Sequence, residues 1–137
     1  MAIENTTTGS ALEAFRSYAA AFQKLDAKAV AEHFHQPALM ITPNGIFSMS
    51  HAAAVEEIYR GVMRDISARG YARTEFSTLV ERHLADGLAI VSANGVQKKA
   101  SGEDLQRFGA TYTLKHVASG WRIVVATIHE PVLSGIA

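Results

Sequence analysis

The chain has no cysteine, a single tryptophan and only three prolines among 137 residues. Without cysteine there can be no disulfide staple, no thiolate nucleophile and no Cys-ligated zinc. That composition fits a reducing compartment, and we expect the protein in the cytoplasm. An excess of either charge is missing as well. Thirteen Lys and Arg balance thirteen Asp and Glu, and the isoelectric point lies near 7.0. Nothing here steers the protein toward nucleic acid or an anionic membrane, and weak charge repulsion favours self-association. No apolar run approaches the length of a membrane span, and there is no repeat or low-complexity tract. The opening "MAIENTTTGS" is polar and lacks the apolar core of a signal peptide. Residues 1–9 read as a flexible N-terminus and 10–137 as one domain.

Apolar residues make up 48% of the chain, and a domain of this length can bury roughly two thirds of its unfolded surface. Ser10 opens a helix through the capping box "SALE", followed by Leu12, Phe15, Tyr18, Ala19, Phe22 and Leu25 at helical spacing. Glu13, Arg16, Gln23 and Lys24 fall on the other side. Asp26 caps a shorter helix with Ala27, Val30, Ala31 and Phe34 on its apolar side, stopped by Pro37. "ALMIT", the turn "PNG" and "IFSM" form a short hairpin. Ser50 is placed to cap a third helix, whose apolar face is Val55, Ile58, Tyr59, Val62, Met63 and Ile66; Gly70 stops it.

Beyond Gly70 the period falls from 3.6 to 2, which predicts strands over about 72–84, 87–99, 106–117 and 121–129. Asn94-Gly95 reads as a turn or, preferably, a bulge inside one long strand. Three helices and a hairpin followed by a meander predict an α+β fold. The helices pack on one face of a strongly curved mixed or antiparallel sheet, forming a cone with a central pocket.

This order of elements, with "LDAKAVAEHFHQPALMITPNG" and "ASGWRIVVATIHEP", resembles the NTF2-like superfamily, which includes SnoaL-like cyclases, ketosteroid isomerases and limonene epoxide hydrolases. The resemblance implies a cystatin-like cone, a pocket between helices and concave sheet, and homodimers formed through the sheet's outer face. It carries no catalytic set across. The general-base aspartate of the isomerase pattern falls on Thr42, whose hydroxyl is too weakly acidic to serve. The isomerase's helical tyrosine falls on Ala19, with Tyr18 about 100° away around the helix. The Asp-Arg-Asp set of the epoxide hydrolase has no counterpart.

A hairpin turn at Ser119-Gly120 would pair Tyr112 with Thr127 and Ala110 with His129, turning His129 inward beside Tyr112. Thr111, Thr113, Lys115, Arg122, Val124, Ala126 and Ile128 would then form the outer face. The candidate ligand-binding residues are Tyr18, Phe22, Met40, Thr42, Tyr59, Met63, Asn94, Tyr112 and His129, and Phe76 is a further lining candidate. Most such aromatic and methionine residues only pack. His33 and His35 are two apart, not the i, i+4 of a helical metal pair, so neither a metal nor another cofactor is expected. Three functions fit: binding of a small hydrophobic molecule, proton-transfer chemistry on such a molecule with His129 as acid/base (an isomerase, cyclase or hydrolase), and a dimeric interaction module with a filled cone.

Overall fold

The computed structural model describes residues 10–130. Helix α1 spans Ala11–Gln23, α2 Ala27–Ala31 and α3 Ala52–Ala68. The strands are β1 Phe34–Thr42, β2 Gly45–Met49, β3 Tyr71–Ala85, β4 Leu88–Lys99, β5 Asp104–Val117 and β6 Gly120–His129. One six-stranded sheet runs β2-β1-β6-β5-β4-β3. Every neighbouring pair is antiparallel except β1 and β6, which makes the sheet mixed.

The α1 capping box forms as the sequence predicts: Ser10 Oγ accepts from the Glu13 amide at 3.1 Å, and Glu13 reaches back to the Ser10 amide. A second anchor is less local. The Glu81 carboxylate on β3 accepts from the Leu12 amide at 2.9 Å, so the edge strand satisfies a first-turn amide that no helical carbonyl can reach. The helix α3 cap differs from expectation. The N-cap is His51, with no side-chain bond, and Gln36 Oε1 instead accepts from the Ala52 amide at 2.9 Å.

Helix α2 is shorter than its sequence suggests and β1 correspondingly longer. Phe34 belongs to the strand, pairing with Ile123 of β6, and its buried ring packs on Tyr18 and Tyr59. Pro37 sits at an irregularity in that pairing, between Phe34 and Leu39, where its missing N–H is tolerated. Asn94-Gly95 is not a turn, and the bulge expected there is carried by the neighbouring strand. Strand β4 continues through it, and the register shift lies opposite, at Ser77 of β3. Gly95 is required there because a Cβ would meet the Phe108 ring at 2.9 Å and the Glu75 carbonyl at 3.0 Å.

The final hairpin also corrects the expected register. Val117 pairs with Gly120, so Ala118 and Ser119 form the turn, and a bulge near Val124 shifts the ladder again. Tyr112 therefore faces Ala126, Ala110 faces Ile128, and His129 faces Gly109. Ala126 and Ile128 turn toward the core, while Val125, Thr127 and His129 turn outward.

Candidate functional site

Inside the cone the space is taken by rings. Tyr18, Tyr59, Tyr112, Phe15 and Phe34 are all buried. Tyr112 lies 5.0 Å from Phe15 and 5.3 Å from Tyr18 between ring centroids, in tilted arrangements that favour aromatic pairs. Tyr18 OH lies 2.9 Å from Tyr59 OH and 3.2 Å from Tyr112 OH. Burial, with the neighbouring phenols adding to it, pushes all three hydroxyls well above the ordinary tyrosine range. They are neutral hydrogen-bonding groups, and they spend their bonds on one another. Of Tyr18 and Ala19, it is Tyr18 whose side chain is buried in the interior.

The other predicted residues divide. Met40 and Met63 are buried in the same core, and Phe22 packs half-buried against Tyr18, Tyr59 and Tyr71. Thr42, Asn94 and His129 do not join them. Thr42 Oγ1 accepts from the Asn44 amide at 3.0 Å, closing the β1–β2 turn. Asn94 lies on the outer sheet face, where its amide donates to Thr78 Oγ1 at 3.0 Å. His129 lies on that face too. Its Nδ1 is 2.6 Å from the Glu130 carbonyl and its Nε2 2.9 Å from Thr111 Oγ1. In the neutral ring Nδ1–H donates to the carbonyl, so Nε2 accepts from the Thr111 hydroxyl. The inward position beside Tyr112 is thus corrected: the displaced turn shifts the register by two and keeps the facing, and the bulge at Val124 then inverts it.

An open groove of about 220 Å³ lies instead between α1 and β3. The helix contributes Phe15, Arg16, Ala19, Ala20 and Gln23; the strand contributes Thr74, Phe76 and Leu79. Two alanines on the helix leave the space, and Phe76 remains 36% exposed within it. The Phe76 ring is held edge-on by Phe15 at 5.6 Å and Phe108 at 6.3 Å. Gln23 Oε1 accepts from the Thr74 amide at 3.0 Å, tying the end of the groove to the strand. Of these residues only Phe76 was a sequence candidate. The available signal was the second side of α1, where two small residues lie between Arg16 and Gln23. Among the described residues no three His, Asp or Glu side chains converge as a metal site, and no helix is long and apolar enough to cross a membrane.

Helices packed on a curved mixed sheet define the cystatin-like α+β class. The chain belongs to the family described as NTF2-like protein (DUF6841), whose model matches residues 9–131. Among curated proteins none matches the chain. Solved structures share the fold. A domain of unknown function with a cystatin-like fold from Nostoc punctiforme has a TM-score of 0.72 and 17% identity, over 93% of this chain and 82% of its own. An NTF2-like protein from Novosphingobium aromaticivorans gives 0.69 and 20%, over 91% and 80%. An NTF2-like protein of unknown function from Shewanella oneidensis gives 0.68 and 14%, over 85% and 93%. At these identities the likeness establishes fold alone.

Proposed function

We propose that this chain is a homodimeric binding domain that takes a small hydrophobic molecule in the α1–β3 groove rather than at the centre of its cone. The observation that carries the reading is the contrast between the two places. The centre is filled by rings whose hydroxyls bond each other, whereas the groove is open and keeps Phe76 partly in solvent. A volume near 220 Å³ falls below the ~300–1,000 Å³ typical of drug-sized sites, so the occupant is small. Proton-transfer catalysis inside the cone loses its acid/base, since His129 is on the outer face. The cysteine-free composition is compatible with the cytoplasm, which this reading adopts.

The test is a titration of the ¹⁵N-labelled full chain with short apolar molecules, neutral and charged, followed by amide shifts. The reading expects shifts at Ala19, Ala20, Thr74 and Phe76. If no such molecule moves these amides at millimolar concentration, the groove reading fails. The second reading, an interaction module whose interior only packs, is then preferred; the filled cone is what favours it.

A further inference from the structure

The polar groups on the groove's rim indicate which small molecule suits it; this step rests on the groove reading above. Arg16 lies on the lining of α1, and among the described residues it makes no hydrogen bond or ion pair. Several other cations of the chain are committed: Arg60 to Glu56, Arg69 to Asp65, Arg73 to Glu75, and Lys98 and Arg107 to Asp104. The groove lining contains no carboxylate that would neutralise Arg16. Gln23 lies two helical turns further on, about 10 Å along the axis. Its carbonyl is taken by Thr74, which leaves its amide N–H groups as donors. Between these ends the lining is Ala19, Ala20, Phe15, Phe76 and Leu79. The groove thus has a cationic end, an apolar middle and a neutral donor end.

We propose that the α1–β3 groove binds a small amphipathic carboxylate, its acid group on the Arg16 guanidinium and its aryl or short alkyl body against Phe76 and Leu79. A guanidinium holds a carboxylate by two parallel N–H···O bonds, which fixes orientation as well as charge. The apolar body supplies the burial that an exposed ion pair alone cannot.

Two pairs of probes test this, 3-phenylpropanoate against 3-phenylpropanamide and octanoate against octanamide, each titrated into the ¹⁵N-labelled full chain. The carboxylate of each pair is expected to bind about fivefold more tightly than its amide. Arg16→Gln should remove that preference and leave amide affinity unchanged, and Arg16→Lys should keep part of it. Ala19→Leu, which fills the groove, should weaken both members of a pair. Amides binding as well as acids would overturn the carboxylate assignment while leaving the groove reading intact. Absence of binding by any of the four probes would overturn both. A change in solution mass caused by Arg16→Gln would assign the groove to a second copy of the chain and also refute the proposal.

Discussion

A tyrosine hydroxyl brings one donor to any hydrogen-bonded cluster, and this cluster holds three hydroxyls with only two bonds, both through Tyr18. Removing the middle oxygen is therefore worse than removing either end. Tyr18→Phe strands two buried hydroxyls and is expected to lower unfolding free energy by roughly 2–4 kcal/mol. Tyr59→Phe or Tyr112→Phe removes one bond and a surplus donor, and should cost about 1 kcal/mol. Urea denaturation of the three variants gives the order directly, and equal losses would refute the middle-bridge geometry. The same burial gives an alkaline signature. Each phenol is pushed well above the ordinary tyrosine range in the folded chain, so above pH ~10 the unfolded chain releases protons that the folded chain retains. Their stabilising contribution is intact below that pH and falls as pH rises, by about 1.4 kcal/mol per pH unit for each such tyrosine. Denaturation between pH 9 and 11 should show this slope, steeper than in Tyr18→Phe. Phenolate absorbance should rise for these three only on unfolding.

At the level of elements, α1 is tied to the sheet's free edge by Glu81, whose carboxylate holds the Leu12 amide and lies 3.4 Å from His83. Glu81→Ala is expected to destabilise the chain by about 1–2 kcal/mol and to speed amide exchange in the first turn of α1, while Glu81→Gln should recover most of the loss. Unchanged exchange at Leu12 in Glu81→Ala would contradict it. The β5–β6 seam depends on Gly109, where a Cβ would meet the Glu130 carbonyl at 2.5 Å and the His129 ring at 2.6 Å. Gly109→Ala should cost about 1–3 kcal/mol and disturb the His129 ring resonances; a neutral effect in thermal unfolding would mean His129 does not lie across that glycine. These seams mark what was legible in the sequence. The capping box, the α3 face of Val55, Tyr59, Met63 and Ile66, and the four long strands follow from local period. The facing of His129 does not, because one bulge residue inverts a strand and carries no residue type of its own. Nor does the site. Arg16 and Phe76 are 60 positions apart in the chain and share a groove only because α1 crosses the edge strand.

The whole molecule presents two unlike surfaces, and the outer sheet face is the one suited to a second copy. Leu39, Ile41, Ile90 and Val125 lie on it with Thr111, Thr113 and Thr127. Ile46 of β2 and Val80 of β3 extend it toward both edges, 70% and 42% exposed. The middle of this face is aliphatic and hydroxyl, with the cations Arg82, Lys115 and Arg122 lying toward one end, so its centre can meet its own kind across a two-fold axis, as an isologous interface requires. Net charge near zero removes the long-range obstacle. The expected outcome is a dimer at micromolar concentration by light scattering or sedimentation. Thr113→Lys tests where it forms. Thr113 pairs with Ile90 and Val125 near the middle of the sheet and faces away from the core, so the fold should tolerate the change. An unpaired charge trapped at the interface centre costs roughly 3–5 kcal/mol, about a hundredfold or more in dissociation constant. The variant should run as a monomer with a native circular dichroism spectrum and with carboxylate binding in the α1–β3 groove retained, since that groove lies on the opposite face. A parent chain that stays monomeric would refute the dimer, and a variant that stays dimeric would move the interface elsewhere.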